Sequence, residues 1–226
     1  MNGTSISFQA NGHTCQGHLS VPHSGSGPGV IVLQEWWGLV DHIRDVADRC
    51  AKAGFTALAP DLYHGESTTH PDDAGRMMMA LNITETTKDL AGAVSFLADH
   101  EAVSSDRIGV VGFCMGGQLS LFAACANDQI AACVDFYGIH PNVHPDLVNL
   151  RAPVLGIFAE LDEFVTPENA KELRARLESH GHLPEFHIFP GVNHAFFNDS
   201  RPDVYNAVVA QKAWSLVTDF FSKNLT

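Results

Sequence analysis

The chain has 226 residues, 45% hydrophobic and 17% charged, which suits one folded α/β domain with a sizeable core and excludes a largely disordered chain. A formal net charge of -13 with no basic stretch argues against nucleic acid and anionic membrane surfaces as partners. No apolar run approaches the roughly 20 residues of a membrane span, Met1–Ile6 carries neither a basic nor an apolar leader segment, and the five cysteines (15, 50, 114, 125 and 133) show no CxxC spacing, so a secretory leader, a disulfide framework and a cysteine-rich zinc site are not expected and a reducing cytoplasm is.

Residues 4–22 alternate loosely and predict an antiparallel hairpin, Ser5–Gln9 with Cys15–Val21, turning at Asn11-Gly12. Gly25-Ser26-Gly27-Pro28 then breaks the chain before Gly29–Leu33, a continuous apolar run of the kind buried on both faces of a sheet. A helix is predicted over 39–53 from the stripe Val40, Ile43, Val46, Ala47 and Cys50, with Gly54 just past its end. Phe55–Ala59 is a second buried strand, closed by Pro60. Residues 61–83 show no periodicity, and that length suggests a lid or pocket wall, with Met77-Met78-Met79 packing inward. A helix over 84–100 leads to a strand, Asp106–Gly112, and a second helical run begins at Gln118. Ala131–Tyr137 and Pro153–Phe158 are further strands. Thr166-Pro167 opens a helix reaching Glu178, Glu185–Phe189 is the last strand, and residues 202–222 form a closing helix. Strands alternating with helices imply a mostly parallel sheet covered on both faces. No repeat or internal domain boundary is visible, so 1–226 is expected to be a single domain.

Gly112-Phe113-Cys114-Met115-Gly116-Gly117 joins a predicted strand to a predicted helix through a glycine-rich turn, the setting of a nucleophile elbow with cysteine at its centre. In such sheets reactive groups gather beyond the carboxyl ends of the strands. Glu35, Cys114, Asp162 and His194 all stand at such ends, and nucleophile, acid and histidine follow in the chain order of α/β-hydrolases. A thiol is mostly protonated near neutral pH and needs a base, which His194 would supply while Asp162 fixes its tautomer. Asp162 is favoured over Glu160 and Glu163 by its place just before Val165-Thr166-Pro167. The backbone N–H groups of Met115 and Trp36 would hold the oxyanion of a tetrahedral intermediate. His140 and His144 have helical metal-ligand spacing, but Pro141 and Pro145 exclude the helix.

These segments together resemble the dienelactone hydrolase family of α/β-hydrolases. The resemblance rests on Gln34-Glu35-Trp36-Trp37-Gly38, Ala59-Pro60-Asp61-Leu62-Tyr63, the Cys114 elbow, Glu160-Leu161-Asp162 and His194-Ala195-Phe196, in the family's order. It implies a Cys114-His194-Asp162 triad, with Glu35 holding the thiol and taking its proton when substrate arrives. It also implies hydrolysis of an enol-lactone or activated ester through a thioester. One departure bears on substrate: the positions of the two arginines with which dienelactone enzymes grip a substrate carboxylate hold Gly65 and Asn198, with His64 and Arg201 the nearest polar substitutes. Trp37, Tyr63, His64 and Phe196 are expected at the substrate pocket. The expected protein is a cofactor-free, metal-free ester or lactone hydrolase, monomeric or a small homo-oligomer. A thioester or peptide-bond hydrolase on the same scaffold and a non-catalytic small-molecule receptor are the alternative readings.

Overall fold

The computed structural model describes residues 3–10 and 12–225. Eight strands form one sheet: β1 (Thr4–Ala10), β2 (His13–Ser20), β3 (Gly29–Leu33), β4 (Thr56–Pro60), β5 (Ile108–Phe113), β6 (Ile130–Phe136), β7 (Val154–Ala159) and β8 (Glu185–Phe189). Their spatial order is β1-β2-β4-β3-β5-β6-β7-β8, parallel from β4 to β8, with β1 and β2 antiparallel at one edge. The expected hairpin is present, and of its turn Gly12 has φ 81° while Asn11 lies outside the described residues.

The six helices among the described residues are α1 (Asp41–Lys52), α2 (Pro71–Ala80), α3 (Ile83–Ala98), α4 (Met115–Ala126), α5 (Pro167–Ser179) and α6 (Ala207–Asn224). Strand alternation sorts the core into two layers. Val30 and Val32 of β3 face a cluster with Ile43 and Val46 of α1 and Val217 and Phe221 of α6. Ile31 and Leu33 face the opposite cluster, with Leu90 and Leu97 of α3 and Leu119 of α4. Both faces of the sheet are therefore covered within a single-domain α/β fold, which is why its central strands read as unbroken apolar runs.

Two elements differ most from the sequence expectation, and α4 starts at Met115, directly after the elbow, rather than at Gln118. Residues 71–80, placed in an irregular stretch, form α2. Pro71 at its first turn and Asp72 and Asp73 beside the helix dipole favour that start, but Ala74 is its only fully buried residue, so it leaves no apolar stripe to read. The closing helix begins at Ala207 rather than 202, because the Asn206 side chain accepts the Val209 N–H at 3.1 Å and sets the cap there.

Candidate active site

The parallel register brings the carboxyl ends of β3, β5, β7 and β8 to one edge. Leu33 pairs with Gly112 and Phe113 with Phe136, so Glu35 and Cys114 emerge side by side from neighbouring strands. Beyond β7 and β8 the two loops are tied together: Glu160 N–H donates to Phe189 O at 2.9 Å, Leu161 N–H to Val192 O at 2.9 Å, and Gly191 N–H to the Glu160 carboxylate at 2.9 Å. That lacing carries His194 to Asp162 and leaves Glu160 capping a turn.

Cys114 stands between β5 and α4 at φ 53° and ψ -119°, a left-handed conformation that costs a non-glycine residue energy and persists only where its surroundings enforce it. The surroundings are specific. Cys114 N–H donates to Phe136 O at 3.0 Å, and its carbonyl accepts from Gly117 at 2.9 Å and Ile139 at 3.1 Å. The flanking glycines are required by contact: a Cβ on Gly112 would sit 1.9 Å from Gly116 O, and one on Gly116 would sit 2.6 Å from Leu33 O. The turn sets Cys114 at the carboxyl end of β5, directly ahead of the Met115 and Gly116 N–H groups at the start of α4. Cys114 itself is 8% exposed.

His194 Nδ1–H donates to Asp162 Oδ2 at 2.7 Å. The other Asp162 oxygen accepts the Phe164 and Val165 N–H groups at 2.8 and 2.9 Å, which immobilises the carboxylate in a buried position. Burial works against a charge on the imidazole, but the bonds to Asp162 and Cys114 and the negative charge of both outweigh it and push His194 up to about 10. Glu35 is 1% exposed; one of its oxygens accepts from Asn198 Nδ2 at 2.7 Å and the other, Oε1, has no partner.

Trp36 and Trp37 pack edge to face, ring centroids 5.0 Å apart. Trp37 and Asn198 border a cleft of about 660 Å³ that also holds Arg44 and Arg201. Tyr63 is buried and its hydroxyl donates to Met115 Sδ at 3.1 Å. Two residues expected at the pocket sit otherwise. Phe196 is fully buried, edge to face with Tyr137 and Phe189, and supports the site from the core. His64 turns toward Asp89, 3.2 Å away, and the His13 ring. His140 holds the Met78 carbonyl at 3.1 Å and so anchors the end of α2.

Two buried groups carried no signal in the sequence beyond lying in an apolar strand. Tyr137, at φ 41°, packs its ring at a tilt against that of His194, centroids 4.8 Å apart. Burial first, then the charges of Glu35, Cys114 and Asp162, hold its hydroxyl well above the ordinary phenol value. Asp135, fully buried below the first turn of α4, is pushed up to about 7 by desolvation, only partly offset by the Gly138 N–H. The folded chain thus keeps a proton that the unfolded chain releases above 3.8, and stability falls as pH rises from there to about 7. Asp135→Asn, near-isosteric and uncharged, is expected to gain on the wild type across that window by up to about 4 kcal/mol, read as the change in the difference between their melting curves from acid to neutral pH.

The strained turn out of the central strand, followed by acid and then histidine on later loops, places the protein among the α/β-hydrolases. Within that class the chain belongs to the dienelactone hydrolase family, whose sequence model matches residues 15–225. It is 38% identical to "Protein usf" of Aquifex pyrophilus, over 99% of this chain and 100% of that one. It is 34% identical to a "Putative carboxymethylenebutenolidase" of Aquifex aeolicus, over 99% of each. The crystal structure of a "Putative Dienelactone Hydrolase" from Klebsiella pneumoniae superposes with a TM-score of 0.88 at 28% identity, covering 97% of this chain and 98% of that one.

Proposed function

We propose that the protein hydrolyses carboxylic esters or lactones through a thioester on Cys114. The observation that carries this reading is the 2.7 Å His194–Asp162 bond beside a thiol held in a strained elbow. When substrate arrives the thiol proton passes, by way of Glu35 at the end of the neighbouring strand, to His194 Nε2. The thiolate adds to the substrate carbonyl, and the oxyanion lies on the Met115 and Trp36 N–H groups, each donor contributing about 3–4 kcal/mol to the barrier reduction. Collapse breaks the ester C–O bond, and the leaving alkoxide takes the proton from His194. The same imidazole then removes a proton from water, hydroxide adds to the thioester, and the acid departs as the thiolate is restored.

Gly65 and Asn198 stand where dienelactone enzymes have arginines, and the Asn198 amide is engaged by Glu35. The substrate class that fits is an ester or lactone without a carboxylate at that point. Five free thiols and the absence, among the described residues, of any helix long and apolar enough to cross a membrane fit an enzyme working in a reducing cytoplasm on a small dissolved substrate.

The test is an acid quench during turnover of p-nitrophenyl acetate and of a simple enol-lactone, followed by intact and peptide mass spectrometry. An acyl group on the Cys114 peptide, formed as fast as the first turnover, is expected. Turnover with no acyl-enzyme, or with acylation at another residue, overturns the mechanism.

A further inference from the structure

At the flank of the sheet formed by the β1–β2 hairpin, four side chains converge that the proposed reaction does not use: His13 and Cys15 of β2, His64 in the turn after β4, and Asp89 of α3. Their donor atoms all lie within 4.8 Å of one another. His13 Nε2 is 3.1 Å from Asp89 Oδ1, His64 Nε2 is 3.2 Å from Asp89 Oδ2, and the Cys15 thiol meets Asp89 Oδ1 at 3.7 Å.

Each residue is brought there by a separate piece of the fold. His13 and Cys15 are two apart on a strand and so share a face. Asp89 reaches that face because α3 lies almost in contact with the hairpin, where a Cβ on Gly92 would fall 2.3 Å from that of Ala10. His64 is swung round by a left-handed backbone, φ 54°, inside a turn whose Tyr63 and Gly65 N–H groups both bond to the Asp61 carboxylate. Cys15 and Asp89 are buried and form the floor, while the two imidazoles, 40% and 48% exposed, form an open rim. The His13 Nε2 atom is itself buried, and its close approach to Asp89 is not aligned as a hydrogen bond.

We propose that His13, Cys15, His64 and Asp89 bind one transition-metal ion, zinc by preference. Two imidazole nitrogens, one sulfur and one carboxylate oxygen form a borderline-soft set that suits zinc and does not suit calcium or magnesium, which take oxygen. A tetrahedral zinc with bonds of about 2.0–2.3 Å spaces its donors by about 3.3–3.8 Å; the contacts of His13 and Cys15 with Asp89 Oδ1 already stand close to that spacing, and His64, now on the other carboxylate oxygen, closes the set by a small movement of its rim ring. Binding releases the thiol proton to solvent and leaves a thiolate on the metal. The ion joins the β1–β2 hairpin, α3 and the turn carrying Tyr63, whose hydroxyl touches Met115. It is a clamp on the flank of the pocket, and the chemistry at Cys114 does not need it.

The test uses the full chain in the Cys114→Ser background, stripped with chelator and titrated with cobalt(II) and then zinc. One equivalent of cobalt is expected, with the strong visible absorption of four-coordinate cobalt and a near-ultraviolet thiolate-to-cobalt band. C15S is expected to lose that band. H13A and H64A, which alter half-exposed rings at the rim, are expected to keep the metal-free melting temperature within about 2 °C and to weaken zinc binding at least about 100-fold, more than loss of an outer-sphere partner costs. Zinc in large excess over its dissociation constant is expected to raise the melting temperature by about 5 °C or more, an increase absent in H64A. Failure to bind one equivalent, a charge-transfer band that survives in C15S, or affinity unchanged in H13A and H64A overturns the proposal.

Discussion

Cys114→Ala is expected to lower kcat/KM for an activated ester by at least about 10⁴-fold, because removal of the nucleophile disables a set of residues that act as a unit. The same change should leave the fold intact. The side chain is small, and alanine at φ 53° carries the same backbone strain as cysteine, which the bonds from Cys114 N–H to Phe136 and from Gly117 and Ile139 to its carbonyl already enforce. A melting temperature within about 2 °C of the wild type is the expected control, since changes away from large cavities cost little. Near-wild-type turnover in this variant would remove the sulfur from the mechanism altogether.

The second large effect is expected from Asp162→Asn, through geometry alone. Two backbone N–H groups, from Phe164 and Val165, already claim one Asp162 oxygen. An asparagine must keep its carbonyl there and turn its NH₂ toward His194 Nδ1. Facing a donor, Nδ1 becomes the acceptor, the ring proton moves to Nε2, and the imidazole can no longer take the thiol proton. A loss in kcat of about 10³–10⁴-fold is expected, with KM changed much less. The stability profile supplies a separate readout. His194 is held at about 10 against an ordinary 6.5, so the stabilisation from its charged form is full below about pH 6.5 and is lost as pH rises through about 10. In the variant that extra stabilisation is smaller, and the gap in melting temperature between the two proteins should narrow as pH climbs through this window. A gap that stays constant from pH 6 to 10 would show that the bond does not govern the ring.

Much of the architecture was legible because burial on both faces leaves a local mark. Gly29–Leu33 is β3 with the bounds its unbroken apolar run marks, whereas Glu185–Phe189, an edge strand with no fully buried residue, is β8 with the bounds its flanking residues mark. Helix α5 was legible from its cap, Thr166 followed by Pro167. Helix α2 was not, since an element with one fully buried residue has no apolar period to detect. The same limit applies to the pocket. Phe196 follows the histidine motif and reads as a wall residue, yet its side chain is taken into the aromatic core beside Tyr137.

The sequence alone determined the order of strands and helices except for α2, the cysteine turn and the family, because apolar periodicity, glycine spacing and caps are properties of neighbouring residues. The tertiary structure decided which side chains meet. Glu160 and Asp162 are two residues apart on one loop; the following Val165-Thr166-Pro167 favours Asp162 in the sequence, and the lacing of that loop to the turn at Gly191 gives Glu160 a backbone N–H and Asp162 the His194 ring. His13, Cys15, His64 and Asp89 carry no common motif, and the docking of α3 on the hairpin alone makes them a cluster. The reason is physical: convergence depends on sheet register and helix packing, both of which are set by contacts between residues far apart in the chain.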